Sequence, residues 1–150
     1  METFKRILLA EDDERDVELT LSALEECKLA NEVIVVNDGE QALDYLYCRG
    51  KFANRPNSNP AVILLDIKMP KVTGLEVLRQ IKSDWNLKQI PTVILTSSRE
   101  EKDLIEGYEL GVNAYVVKPV DFEEFIRAVK ELGLFWAIIN EPPPLTAKRN

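Results

Sequence analysis

The sequence predicts an α/β fold in which a doubly wound, five-stranded parallel sheet carries helices on both faces. Five short segments are rich in β-branched and aliphatic residues, as buried strands are: residues 6–10, 32–37, 61–66, 91–96 and 114–118. Segments with the period of amphipathic helices alternate with them: residues 17–29, 40–47, 74–85, 101–110 and 122–133. Strands and helices that alternate in this way are joined by right-handed crossovers into a parallel sheet.

Turn-forming residues separate these segments. Asp38 and Gly39 lie between the second strand and its helix, and Gly111 and Gly133 lie where the fourth and fifth predicted helices should end. The connection over residues 49–59 is polar, rich in Asn and Pro, and longer than the usual connection of a few residues. We expect it to be a mobile surface loop.

The length of 150 residues suits one domain with one hydrophobic core. Hydrophobic residues make up 45% of the chain and charged residues 30%, as in ordinary globular proteins. We expect this domain to span residues 1–134 and to stand alone, without an effector domain. Residues 135–150 form an extension that is first apolar and then proline-rich, and three consecutive prolines at 142–144 favour an extended arm there.

The formal net charge of −7 argues against a nucleic-acid partner, because the summed field repels phosphate backbones. The longest apolar stretches fall well short of the roughly 20 residues that a membrane span needs. The N-terminal sequence turns acidic at once and has no cleavage region of a signal peptide. We therefore expect a cytoplasmic protein without a membrane partner.

The sequence contains no histidine and only two cysteines. The absence of histidine removes the usual general base, the usual zinc ligand and the usual phosphohistidine donor. Cys27 and Cys48 are not spaced as metal ligands and are expected to act as small hydrophobic residues on helix faces. Any chemistry must therefore use carboxylates, lysine, hydroxyl groups and a bound ion.

Polar residues follow four of the predicted strands, at the edge where open parallel sheets build their sites. These residues are Glu11, Asp12 and Asp13 after the first strand, Asp66 at the end of the third, Thr96 at the end of the fourth and Lys118 at the end of the fifth. Carboxylates held this close repel one another unless a hard cation lies between them, and oxygen ligands alone favour Mg²⁺ or Mn²⁺. A carboxylate beside such an ion can attack phosphorus while the ion, the lysine and the hydroxyl neutralise the phosphoryl oxygens. The arrangement predicts that an acyl phosphate forms.

The order and spacing of these residues resemble the receiver domains of two-component response regulators over residues 5–133. The resemblance implies a flavodoxin-like receiver fold and places the phospho-acceptor at Asp66, within the sequence LLDIKMP. It implies that Lys118 and Thr96 hold the phosphoryl oxygens, and that Thr96 is also the switch hydroxyl. Tyr115 matches the family's rotating aromatic residue. The protein would then accept a phosphoryl group and change its partner contacts, without turning over small substrates as an enzyme.

The same resemblance implies a metal site for Mg²⁺, with Mn²⁺ as the alternative ion. Its ligands would be the carboxylates of Asp12 and Asp66, the carboxylate of Glu11 through water, and the backbone carbonyl of Lys68. Asp13 lies one place beyond the matched pair and is expected to act at a helix N-terminus instead. The Lys118-Pro119 peptide bond is predicted to be cis.

The long third loop and the ending FWAIINEPPP resemble the small receivers that partner bacterial phytochrome histidine kinases, particularly in cyanobacteria. This resemblance implies a sensor histidine kinase of the phytochrome type as the phosphodonor. It also implies a homodimer. We expect its interface in the helices over 101–110 and 122–133 and in residues 134–144, where Phe135 and Trp136 could anchor it.

Each site residue also has a simpler explanation. Asp66 could cap the helix that follows its strand, and Thr96 could bond a backbone group at a strand end. A role in packing explains Tyr115 about as well as a switching role. Lys118 is harder to explain without an anionic partner, because it ends a buried strand.

Two other functions compete with the receiver. A Mg²⁺-dependent phosphatase of the haloacid dehalogenase type also uses an aspartate at a strand end. That class needs a second aspartate two places later as its acid, and Lys68 occupies this place. A degenerate receiver that acts only as an interaction module would lack part of the site, yet the acceptor, the acidic pair, the threonine and the lysine are all present.

Overall fold

Five parallel strands form one sheet in the order β2-β1-β3-β4-β5. The computed structural model describes residues 6–26, 32–56, 58–96, 106, 109–112 and 114–132. The strands are β1 (Arg6–Ala10), β2 (Glu32–Val36), β3 (Val62–Asp66), β4 (Thr92–Thr96) and β5 (Ala114–Val117). The doubly wound parallel sheet is confirmed, and each strand agrees with its predicted segment to within one residue at either end. Asp66 pairs with Leu95 and Thr96 with Val117, so the carboxyl ends of the three strands lie side by side.

The described helices are α1 (Glu14–Glu26), α2 (Gly39–Leu46), a 3₁₀ turn (Gly50–Phe52), α3 (Gly74–Lys82) and α4 (Phe122–Leu132). Most of the predicted helix over 101–110, together with Gly133 and everything after it, lies outside the described residues. Among the helices described, none has the length and apolar character to cross a membrane.

Two helix boundaries differ from the prediction by more than one residue, for local reasons. Helix α1 begins three residues early, at Glu14, because the Asp13 side chain accepts a hydrogen bond from the Asp16 amide at 3.0 Å and caps the helix. Helix α3 ends at Lys82 instead of continuing to residue 85. There the Asp84 carboxylate accepts hydrogen bonds from the next turn, including one from the Asn86 amide at 2.8 Å.

The sheet is buried on both faces, as its near-continuous apolar strands require. One face packs against α2 and α3, and its buried strand residues are Leu8, Ala10, Val36, Ile63, Leu65 and Ile94. The other face packs against α1 and α4, and its strand residues include Ile7, Leu9, Leu64, Val93 and Leu95. Successive residues of a strand face opposite sides of the sheet. This alternation fixes the register of each strand, because a slip by one residue would exchange the side chains on the two faces.

Glycine is required where the chain after β3 turns back into α3. A Cβ atom at Gly74 would collide with the backbone carbonyl oxygen of Asp66. The Gly74 amide donates to the Ile67 carbonyl at 2.7 Å and closes this turn. Helix α3 then starts with a capping box in which Thr73 and Glu76 exchange side-chain-to-backbone hydrogen bonds. The backbone next to Asp66 is therefore held by tight packing.

The loop over residues 49–59 is attached to helix α2, whereas we expected a mobile excursion. The Arg55 guanidinium lies 4.0 Å from the centre of the Tyr45 ring, and its Nε donates to the Tyr45 carbonyl at 2.7 Å. Arg49 pairs with Asp44 at 2.8 Å. Cys48 lies in the turn after α2 with a φ of 54°, and not on a helix face as predicted; Cys27 lies outside the described residues.

Candidate functional site

The carboxyl ends of β1, β3, β4 and β5 surround a cavity of about 180 Å³. It is lined by Glu11, Asp12, Asp13, Asp16, Asp66, Ile67, Lys68, Thr96 and Lys118. Every residue predicted for the acceptor, the metal site and the phosphoryl contacts lines this one cavity. Parallel strands deliver their ends to the same edge, which is why residues more than 100 positions apart in the sequence meet here.

The ammonium group of Lys118 joins three carboxylates in this cavity. Its Nζ lies 2.8 Å from Asp16 Oδ2, 2.9 Å from Glu11 Oε1 and 3.1 Å from Asp66 Oδ1. The Lys118 side chain is only 8% exposed, and the carboxylates offset the cost of burying its charge. The Lys118-Pro119 bond is cis, as predicted.

Three carboxylates are placed where one cation could be held. Oxygen atoms of Glu11, Asp12 and Asp66 all lie within 4.8 Å of one another. Glu11 is fully buried and Asp12 is exposed, so the group opens toward solvent on one side. Lys68, whose backbone carbonyl was predicted as a further ligand, lines the same cavity. An all-oxygen donor set of this kind fits a hard divalent cation.

Burial and crowding make the carboxyl groups of Glu11 and Asp66 hard to ionise. Burial, with the nearby charge of Glu11, raises the pKa of Asp66 from 3.8 to about 7, although Lys118 acts in the opposite direction. Burial also raises the pKa of Glu11. Burial by itself lowers the pKa of Lys118, but hydrogen bonds to Asp16 and Glu11 and the charge of Asp66 outweigh it, so this pKa is raised. One ammonium therefore does not balance the acids, and a cation would relieve the excess negative charge.

The two predicted switch residues occupy different places. Thr96 is buried at the end of β4 and lines the cavity that contains Asp66. Tyr115 is half-buried on β5 and lines a neighbouring cavity of about 560 Å³, which Glu124 and Arg127 of α4 also line. Lys118 lines both cavities. The structure thus connects Tyr115 with the Asp66 cavity through the end of β5.

The first turn of α1 contributes two further acids. Asp13 caps the helix, as predicted, and its own amide donates to Glu11 Oε2 at 3.1 Å. Asp16 contacts Lys118, and the sequence interpretation missed it. The available signal was its position in the first turn of the helix that follows β1, at the edge of the sheet where the site assembles.

Comparison with known proteins identifies the family. The family model described as "Response regulator receiver domain" matches residues 7–130. Response regulator Rcp1 from Synechocystis sp. is 39% identical over 132 residues, which cover 88% of this chain and 88% of Rcp1.

Solved structures of phytochrome-associated regulators have the same fold. The bacteriophytochrome response regulator RtBRR is 64% identical, with a TM-score of 0.85 over 95% of this chain and 86% of RtBRR. The phosphorylated cyanobacterial phytochrome response regulator RcpA is 41% identical, with a TM-score of 0.76 over 90% of this chain and 95% of RcpA. Rcp1 in its Mn²⁺-bound form has a TM-score of 0.75 over 93% of this chain and 99% of Rcp1.

These similarities agree with the flavodoxin-like receiver fold and with the resemblance to single-domain, phytochrome-associated regulators. The identity to RtBRR is higher than that to the two cyanobacterial proteins. None of these relatives supports the phosphatase alternative. The chain belongs to the response regulator receiver domain family.

Proposed function

We propose that this protein is the response regulator of a phosphorelay and accepts a phosphoryl group on Asp66 from a histidine kinase. The observation that carries this proposal is the position of the Asp66 carboxylate, which is nearly buried within 3.1 Å of the Lys118 ammonium and beside two other acids. A helix cap needs none of these neighbours. The receiver family supplies the phosphorelay context.

In the proposed reaction, one carboxylate oxygen of Asp66 attacks phosphorus. The new P–O bond forms as the P–N bond of the phosphohistidine breaks, and the imidazole leaves with the bonding electrons. The Lys118 ammonium, 3.1 Å from Asp66 Oδ1, would contact a phosphoryl oxygen attached to Asp66. Thr96 lines the same cavity from the neighbouring strand and would donate its hydroxyl hydrogen to another phosphoryl oxygen.

We propose Mg²⁺ as the cation of this site. Asp12 and Asp66 would bind it directly, Glu11 through water, and Lys68 through its backbone carbonyl. When bound, the ion supplies positive charge against the phosphoryl oxygens. The donor chemistry supports a divalent cation, and the Mn²⁺-bound form of Rcp1 makes Mn²⁺ the alternative.

The phosphoryl group would change partner contacts through Thr96 and Tyr115. Thr96 would move toward the phosphoryl oxygens, and Tyr115 would change its rotamer on the adjacent strand. The cavity beside Tyr115 gives its side chain room to do so. Arg127 of α4 donates hydrogen bonds to the Tyr115 carbonyl at 3.4 Å and to the Glu124 carboxylate at 2.9 Å. A movement of β5 would therefore reach α4.

The proposed phosphodonor is a sensor histidine kinase of the phytochrome type, because RtBRR and RcpA are described as phytochrome response regulators. A screen of labelled kinases from one organism, compared by initial transfer rate, would identify it. A faster transfer from an unrelated kinase than from a phytochrome kinase would contradict this choice.

We also propose a homodimer that uses the helix predicted over 101–110, the α4 surface and residues 134–144. Helix α4 carries the exposed Phe122, and Phe122 and Ile126 line a shallow groove on its outer side. Residues 134–144, with Phe135 and Trp136, lie outside the described part of the chain. Light scattering on the intact protein and on a truncation after Gly133 tests the proposal, and a monomer in both at tens of micromolar would refute it.

Intact-mass measurement with acetyl phosphate and Mg²⁺ tests the acceptor directly. The wild-type protein should gain one phosphoryl group, and Asp66→Asn should gain none, because an amide is a poor nucleophile. Asp13→Asn is the matched control: it removes a nearby carboxylate that caps α1 and should still be labelled. Labelling of Asp66→Asn to the wild-type level would refute the assignment of Asp66 as the phospho-acceptor.

A further inference from the structure

Asp16 holds Lys118 from a different part of the fold than the other two carboxylates. Glu11 follows β1 and Asp66 ends β3, whereas Asp16 lies in the first turn of α1. Its contact with the Lys118 Nζ, at 2.8 Å, is the shortest of the three. The Asp16 side chain is 24% exposed, so it reaches inward from the rim of the cavity.

The Lys118 Nζ donates hydrogen bonds to Glu11 and Asp16, and Asp66 lies at ion-pair distance from it. An ammonium group has three N–H donors, and three carboxylates surround this one. The contact with Asp66 is the longest, at 3.1 Å. A phosphoryl group on Asp66 presents new anionic oxygens to Lys118, so at least one donor has to be shared with them. Asp16 is the most dispensable partner, because Glu11 is fully buried and depends on the lysine.

Asp16 also adds negative charge near the reacting atoms. Asp16 and Asp66 contact the same nitrogen, at 2.8 and 3.1 Å, so their carboxylates lie within about 6 Å of each other. Removing Asp16 leaves Lys118 held by Glu11 and Asp66, both at the ends of buried strands. The ammonium would then keep its place and have one donor released toward Asp66.

We propose that Asp16 is a positioning residue that withholds part of the Lys118 ammonium from the phosphoryl group and thereby limits the rate of phosphoryl transfer to Asp66. The inference rests on the proposed function of Asp66 as acceptor. It assigns to the first turn of α1 a role in setting how fast the site is phosphorylated.

The test compares Asp16→Ala with Glu18→Ala. Both variants remove one acid from α1, but Glu18 is exposed and lies outside the cavity. With acetyl phosphate as donor, Asp66 forms the new P–O bond while the bond from phosphorus to acetate breaks and acetate leaves with the electron pair. We expect labelling about tenfold faster in Asp16→Ala, as for the release of one hydrogen bond to a charged group, and within about twofold of wild type in Glu18→Ala.

A double-mutant cycle with Lys118→Met separates the contact from a general charge effect. If Asp16 acts through Lys118, removing Asp16 should change the labelling rate little once the ammonium is gone. An equal acceleration with and without Lys118 would overturn the positioning role, as would unchanged or slower labelling of Asp16→Ala itself. A wild-type protein that is never labelled would instead refute the proposed function, so the two failures are distinguishable.

Discussion

Without divalent cations, the folded protein should be more stable at pH 5 than at pH 8, and Asp66 should be the main cause. The pKa of Asp66 is raised from 3.8 to about 7 by burial and by the charge of Glu11. A carboxyl group with a raised folded-state pKa binds more protons in the folded than in the unfolded chain. Its stabilising contribution is therefore present at low pH and is lost as the pH rises from about 4 to about 7.

The size of this change in stability follows from the pKa shift of Asp66. The shift is roughly 3 pKa units, and each unit corresponds to about 1.4 kcal/mol. The part of the pKa effect that falls between pH 5 and pH 8 lowers the free energy of unfolding by about 2.5 kcal/mol. The Asp66 side chain is 7% exposed, so solvent screening reduces this value little. The raised pKa of Glu11 acts in the same direction, whereas Lys118 stays charged throughout this range.

The amino-acid composition makes a change in stability between pH 5 and pH 8 easier to assign to a carboxyl group. The chain has no histidine, whose ordinary pKa would place its titration in the same range. Urea unfolding followed by circular dichroism in EDTA at pH 5 and pH 8 measures the effect. Asp66→Asn should lose most of the pH dependence, and Glu18→Gln should keep it. For the wild-type protein at pH 8, Mg²⁺ at about 100 times its dissociation constant should raise the free energy of unfolding by about 2.7 kcal/mol.

Two outcomes would refute this reasoning. A wild-type free energy of unfolding that does not change between pH 5 and pH 8 in EDTA would mean that Asp66 ionises normally in the fold. A pH dependence that survives unchanged in Asp66→Asn would assign the effect to another group.

Further predictions concern the metal site and the turn beside it. Asp12→Asn should weaken Mg²⁺ binding about tenfold in titration calorimetry, because one charged ligand is lost. Asp13→Asn is the control and should change the affinity less than twofold. Equal Mg²⁺ affinities for the two variants would remove Asp12 from the ligand set. Gly74→Ala should lower the free energy of unfolding by about 2 kcal/mol or more, because the added Cβ collides with the Asp66 carbonyl. Gly111→Ala should cost only about 1 kcal/mol, since its φ of 82° is unfavourable but no atom lies within 4 Å of an added Cβ. A Gly74→Ala protein as stable as Gly111→Ala would contradict the close approach.

The strands and most of the site could be predicted because their signals are local. Each strand is a short apolar run, and a parallel sheet brings the ends of such runs to one edge. Asp66, Thr96 and Lys118 therefore converge as expected, although no short segment of the sequence contains more than one of them.

The missed features depend on contacts between distant segments. The pair of Asp16 and Lys118 joins residues 102 positions apart, and its geometry depends on how α1 docks beside β5. In the loop over 49–59, composition alone suggested mobility, whereas the attachment arises from the stacking of Arg55 on Tyr45. The early start of α1 depends on Asp13, whose capping role was expected although its effect on the boundary was not.

Locating the modified residue tests the central claim most directly. After reaction with acetyl phosphate and Mg²⁺, borohydride reduces an acyl phosphate of aspartate to homoserine, which peptide mass spectrometry can assign to one position. We predict homoserine at position 66, and its loss when hydroxylamine is added before reduction. Homoserine at Asp12 or Asp13 instead, or a phosphate that resists hydroxylamine, would contradict the assignment of Asp66 as the phospho-acceptor.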